Sequence, residues 1–240
     1  SADMQRIMEI AHEYDLYVIE DSAETIGGEH HGQMAGTFGV GCFSFYPTKN
    51  MTTGEGGILT TNDDQLAQKV KALLAHGIDK TTYERENKEK SWYRSASYVG
   101  YNFRMSNILA AIGVEQFKKL DDMNDWRRKW AGKLTEALQE LPQIIPPVER
   151  PENKHVYQMY TIRVKEGLDR DQFVKDLNAK GIGASVHFYP PIHLMPPYQG
   201  DQFRQGDLSV TEKVMHEIVT LPLYPQMEAD DVRYMVDVVK

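Results

Sequence analysis

The spacing of apolar residues divides the chain into alternating helical and extended stretches. Over residues 3–15, Ile7, Met8, Ile10, Ala11 and Tyr14 recur at helical intervals, which predicts an amphipathic helix. Leu16-Tyr17-Val18-Ile19 follows as a continuous apolar run closing on Glu20-Asp21, the pattern of a buried parallel-type strand with polar residues at its carboxyl end. Open α/β sheets put ligand chemistry at that end. Gly27, Gly28, Gly32, Gly36, Gly39 and Gly41 then punctuate a loop-rich stretch. Cys42-Phe43-Ser44-Phe45-Tyr46 reads as a second buried strand stopped by Pro47. Gly54-Glu55-Gly56-Gly57 reads as a tight turn and Ile58-Leu59-Thr60-Thr61 as a third strand. Asn62-Asp63-Asp64 caps a helix across about 64–76. Residues 79–97 are polar without a period and read as a surface excursion.

From Ser106 to Leu141 the pattern is one long helical stretch, with Ile108, Ala111, Ile112, Glu115 and Leu120 on repeating turns. Pro142, Pro146, Pro147 and Pro151 then form a linker. The expected division is therefore a larger domain over residues 1–142 and a small α+β domain over 143–240. Within the latter, residues 157–164 alternate as a strand, 169–180 read as a helix ending at Gly181, and 184–188 read as another strand. Two more helices are expected near 207–218 and 228–239. No internal repeat or low-complexity segment interrupts the pattern.

Composition narrows the function classes. Of 240 residues, 41% are hydrophobic and 26% charged, so the chain can bury a core. A formal net charge of −8, without a basic run, argues against nucleic acid as the main partner. One phosphorylated small ligand stays compatible, because a few local donors hold one phosphate. The single cysteine, Cys42, cannot build a disulfide framework or a multi-thiolate zinc site. His30-His31 and His187 with His193 lack the helical spacing of a metal pair, so no metal is expected. No stretch has the length of a membrane span, and Ser1–Arg6 is too polar for a secretory leader, which makes the expected location cytoplasmic.

The chemistry concentrates in residues 20–57. A carboxylate closes one strand, in Glu20-Asp21-Ser22-Ala23-Glu24, and Ser44 and Lys49 lie five residues apart after another. An amine that bonds an aldehyde, a carboxylate for a pyridinium nitrogen and short polar donors for a phosphate are what pyridoxal 5'-phosphate needs. Val18–Glu24, Ser44-Phe-x-x-x-Lys-Asn50, Thr53-Gly-Glu-Gly-Gly57 and Gly100-Tyr-Asn-Phe-Arg-Met105 resemble the sugar aminotransferases of the DegT family. Val186–His193 and Leu221-Pro-Leu-Tyr-Pro225 are similar to it as well. The resemblance runs along essentially the whole chain in the family's order.

That resemblance implies an α/β fold: the C-terminal part of a fold-type I large domain, three-layered with a mostly parallel sheet, plus the small α+β domain. It implies that Lys49 is the Schiff-base lysine, Asp21 the pyridinium partner and Ser44 a phosphate ligand. Glu24 stands where the family often has glutamine near the cofactor's phenolic oxygen, and a carboxylate there must be protonated to donate. Asn102 resembles the asparagine that reaches the neighbouring subunit's phosphate, Arg104 a substrate-side cation and His187 a residue at the substrate mouth. Each has a plainer reading. Asp21 and Glu24 also suit helix starts, Ser44 a bonded core hydroxyl, Asn102 and Arg104 a surface turn, and His187 a packed strand position.

The implied activity moves an amino group from an amino-acid donor, glutamate by the resemblance, to a keto group of a nucleotide-linked sugar. The setting would be polysaccharide or antibiotic sugar biosynthesis, and the form a homodimer with shared sites. The competing class is a non-catalytic relative that serves as a regulator or assembly partner. Retention of both Asp21 and Lys49 favours the enzyme. The segment around Ala2–Ala11 resembles an internal family segment, so a C-terminal fragment lacking the N-terminal part of the family's chain is expected.

Overall fold

The computed structural model describes residues 1–78, 92, 95–200, 202 and 206–240. Most of the expected excursion at 79–97 lies outside the described residues. Two compact units emerge: Ser1–Asp121 with Pro151–His155, and Asp122–Arg150 with Val156–Lys240.

In the first unit, helix α1 spans Met4–Glu13, and the Asp3 carboxylate accepts from the Arg6 amide at 3.0 Å to cap it. Met4 and Ala11 are buried, whereas Ile7 and Ile10 are exposed. Strand β1 (Ile19–Asp21) runs parallel to β4 (Val40–Ser44), which pairs antiparallel with β5 (Gly57–Thr60). The apolar run before Glu20 is not the buried strand the sequence suggests. Pairing begins only at Ile19, and Leu16, Tyr17 and Ile19 lie exposed, Tyr17 almost completely. Among the described residues β1 is an edge strand, so nothing in this unit covers that run.

The glycine-rich stretch contains two very short strands, β2 (Glu29–His30) and β3 (Gln33–Met34). Together with β7 (Asn153–Lys154) they form an antiparallel ladder. Helix α2 (Asp64–Leu74) starts as expected, with Asp63 accepting from the Gln65 and Leu66 amides at 2.8 and 3.0 Å. The long helical stretch is two helices, α3 (Asn107–Phe117) and α4 (Leu120–Leu138). The Lys119 amide bonds the Gln116 carbonyl, an i→i−3 tightening that ends α3.

The second unit holds the larger apolar core. Strand β8 (Tyr160–Val164) lies between β6 (Ile144–Ile145) and β9 (Ile218–Leu221), all antiparallel. Tyr160, Ile162 and Val164 alternate inward along β8. They join Leu134 and Leu138 of α4, Leu177 of α5 (Arg170–Ala179) and Val236 of α7 (Ala229–Val239). The short helix α6 (Ser209–Val214) covers only part of the expected 207–218, because Ile218 onward belongs to β9.

The units divide at Asp121–Asp122, not at 142–143. Trp130, Ala131, Leu134 and Leu138 commit most of α4 to the second core, while Asn153 and Lys154 pair with β2 in the first unit. The strand expected over 184–188 does not form. Only Ser185 pairs, in an isolated bridge with Thr220, and the residues after it have no ladder partner among the described residues.

Candidate active site

The parallel register of β1 and β4 sets Asp21 opposite Cys42, so both strands deliver their carboxyl ends to the same edge of the sheet. Asp21 closes β1 and Ser44 closes β4. The ladder runs one step further, the Ser22 amide donating to the Cys42 carbonyl at 2.9 Å. Asp21 is exposed, and its carboxylate accepts from the Ala23 amide at 3.2 Å. Ser44 Oγ accepts from the Tyr46 amide at 3.3 Å.

Alternation along β1 turns the intervening Glu20 to the opposite, buried face. Its carboxylate accepts three backbone N–H bonds, from Gly36 at 2.7 Å and from Phe38 and Gly39 at 2.8 Å each. Glu20 thereby ties the loop that feeds β4 to β1. In the sequence Glu20 is legible only as part of a polar strand end. The available signal was the period of two, which places it opposite in facing to Ile19 and Asp21.

Between β4 and β5 the chain makes a closed excursion. The Phe45 amide donates to the Gly56 carbonyl at 2.9 Å, and the Phe45 carbonyl receives the Thr53 amide at 3.0 Å and the Thr52 hydroxyl at 2.8 Å. Gly56 holds φ +143°, a conformation that calls for glycine. Lys49 sits in this excursion, its amide bonded to the Tyr46 carbonyl at 3.0 Å. Its ammonium lies 2.9 Å from Glu24 Oε1. The lysine side chain is 15% exposed and the glutamate 36%, so the pair is partly withdrawn from water.

Asn102 and Arg104 come together on a second loop. Arg104 Nε donates to Asn102 Oδ1 at 3.1 Å, and Arg104 Nη2 donates to His76 Nε2 at 3.2 Å. A guanidinium has no acceptor, so His76 receives this bond through a lone pair. Ala75 bridges Asn102, and the His76 amide donates to the Tyr101 carbonyl at 2.8 Å. His76 was not singled out from sequence. Its signal was its place before Gly77 at the end of α2. His187 belongs to the second unit, on exposed irregular backbone, its ring edge-on to Phe188 at 5.7 Å between centroids.

The donor set of the first unit fits pyridoxal phosphate. Lys49 supplies an amine, Asp21 a carboxylate at a strand end, and Ser44 a hydroxyl on the adjacent strand end. Among the described residues no helix is long and apolar enough to cross a membrane.

A sequence profile of the DegT/DnrJ/EryC1/StrS aminotransferase family matches residues 1–240. The chain is 36% identical over 246 residues to the spore coat polysaccharide biosynthesis protein SpsC of Bacillus subtilis, covering 100% of this chain and 63% of that one. It is 37% identical over 234 residues to the GDP-perosamine synthase of Caulobacter vibrioides, covering 96% and 60%. A crystal structure of a DegT DnrJ EryC1 StrS aminotransferase from Brucella abortus superposes with a TM-score of 0.86 at 31% identity, covering 100% and 60%. The chain thus spans about three-fifths of the length of the proteins it matches.

Proposed function

The chain belongs to the DegT/DnrJ/EryC1/StrS aminotransferase family, and on that premise we propose that its protein is a pyridoxal phosphate-dependent aminotransferase. It moves an amino group from an amino-acid donor to a keto group of a nucleotide-linked sugar. The observation that carries this reading is the partly buried Lys49–Glu24 pair beside the strand ends that present Asp21 and Ser44. A lysine used only for solubility has no reason to be 15% exposed inside a loop closed by its own backbone bonds.

When bound, the cofactor supplies a carbonyl that captures amino groups and a ring that takes up electron density. Asp21 would hold a proton on the ring nitrogen by its negative charge, and Ser44 would donate its hydroxyl to the phosphate. Lys49 Nζ would hold the cofactor's carbonyl, and its amine could carry a proton at the substrate carbon. Arg104 offers a fixed guanidinium to an anionic group of the substrate, with His76 and Asn102 setting its orientation. Asn102 would serve a partner subunit's phosphate.

The test is reduction with borohydride in the presence of pyridoxal phosphate, followed by peptide mapping. Label on the Lys49 peptide is the expected result, lost in Lys49→Ala. Label on another lysine overturns the assignment of Lys49, and no label at all favours a non-catalytic relative.

A further inference from the structure

Asn102, Arg104 and His76 form a chain of side-chain hydrogen bonds. Asn102 Oδ1 accepts from Arg104 Nε at 3.1 Å, and His76 Nε2 accepts from Arg104 Nη2 at 3.2 Å. The two segments that carry them are tied by their own backbone. The His76 amide donates to the Tyr101 carbonyl at 2.8 Å, and the Tyr101 amide to the Leu73 carbonyl at 2.6 Å. Tyr101 and Phe103 flank Asn102 and stack with ring centroids 4.8 Å apart.

A guanidinium carries donors only. Arg104 can therefore meet Asn102 only at the amide oxygen, so that oxygen faces the arginine and the amide nitrogen faces away from it. His76 Nε2 likewise presents a lone pair. Nε and Nη2 lie on one edge of the guanidinium plane, and both are engaged. Among the described residues, Asn102 Nδ2 and Arg104 Nη1 have no partner. Both are donors, so the groups left free by this chain suit an oxyanion.

We infer that Arg104 is a positioning residue for Asn102. It fixes the amide with its N–H₂ turned outward to donate to the cofactor's phosphate, and His76 holds Arg104 in the orientation that does so. The inference rests on Asn102 serving that phosphate. An unfixed amide presents its oxygen as readily as its nitrogen, and an oxygen repels phosphate. Fixing the side chain beforehand removes an ordering cost from binding. Arg104 thus acts on the phosphate through Asn102, while its Nη1 end stays available to the substrate.

The readout is the ratio of the pyridoxal and pyridoxal phosphate dissociation constants, measured by titrating the cofactor-free full-length protein. The two ligands differ only in the phosphate. A defect confined to that group changes the ratio, whereas a general loss of structure weakens both alike. Asn102→Ala should weaken pyridoxal phosphate by about tenfold or more and leave pyridoxal unchanged. Arg104→Met keeps an apolar stem without donors. It should weaken pyridoxal phosphate by about three- to tenfold, the effect of leaving one side chain to be ordered on binding. Combined with Asn102→Ala it should cost nothing further, because the residue it orients is gone. His76→Leu should fall between wild type and Arg104→Met, and His76→Gln, which restores an acceptor, should return to wild type.

A further loss from Arg104→Met in the Asn102→Ala background overturns the inference, because the guanidinium then acts on the phosphate directly. Equal weakening of both ligands by Arg104→Met, or no weakening, also overturns it. Arg104→Leu serves for the same comparison if Arg104→Met is not folded by circular dichroism. His76→Gln no better than His76→Leu removes His76 from the chain of orientation. An unchanged ratio in Asn102→Ala overturns instead the reading on which the inference rests.

Discussion

Gly77 and Gly100 meet backbone to backbone: a Cβ on Gly100 would lie 2.0 Å from the Gly77 amide nitrogen. Gly77 itself holds φ +73°, and a Cβ there would lie 1.8 Å from the Tyr98 carbonyl oxygen. This contact fastens the loop bearing Asn102 and Arg104 to the end of α2. The Phe103 amide adds a bond to the Leu74 carbonyl at 3.0 Å. Gly100→Ala should therefore destabilise the protein by about 1–3 kcal/mol through backbone displacement, read as a lower urea midpoint. Gly132→Ala is the contrast, since Gly132 lies exposed inside α4 with nothing near its missing Cβ. It should stabilise by about 0.5–1 kcal/mol.

Glu20 offers a second test. Its carboxylate takes all three N–H groups of Gly36, Phe38 and Gly39. Glu20→Gln keeps the size but removes the charge and turns an amide N–H₂ toward backbone donors. The expected loss is about 2–4 kcal/mol in chemical denaturation. A loss below about 0.5 kcal/mol would show that the loop holds itself without the carboxylate.

Alkaline pH should expose Tyr160. Its ring is fully buried and its hydroxyl lies 2.9 Å from Thr135 Oγ1. Burial pushes its pKa up to about 12, against a smaller opposing effect of the Thr135 hydrogen bond. In the unfolded chain the phenol ionises near 10. Its contribution to stability is thus intact below about pH 10 and is lost as pH rises toward about 12, because the unfolded state sheds the proton first. Tyr160→Phe should cost about 1 kcal/mol at neutral pH from the lost hydrogen bond. The gap to wild type should narrow over that alkaline window in urea titrations. A constant gap would contradict the raised pKa.

Complementation tests whether Asn102 and Arg104 serve a partner's site. In the full-length protein, Lys49→Ala and the double variant Asn102→Ala with Arg104→Ala are each expected to be inactive. If the loop acts across a two-fold dimer, a mixed dimer carries both defects in one site and none in the other. Equal random exchange then restores about a quarter of wild-type activity. No rescue despite demonstrated exchange places the loop's action within its own chain.

Elements fixed by neighbours a few residues away were legible in the chain. The starts of α1 and α2 follow from apolar period and from the side chains of Asp3 and Asp63, which satisfy amides two or three residues on. The Ser44–Lys49 spacing, with a carboxylate at a preceding strand end, likewise pointed to the candidate site from residue types alone. What depended on distant partners was not legible. β2 and β7 are two-residue strands joined across more than a hundred positions, Glu29 to Lys154. The run at 184–188 has the composition of a strand but lacks the ladder that makes one. The division within α4 depends on which core receives Trp130 and Leu134. The sequence alone offered Lys49 and Glu24 as separate candidates. Only the folding of two loops onto one sheet edge made them an ion pair, because a contact between residues 25 positions apart is set by the strands that carry them.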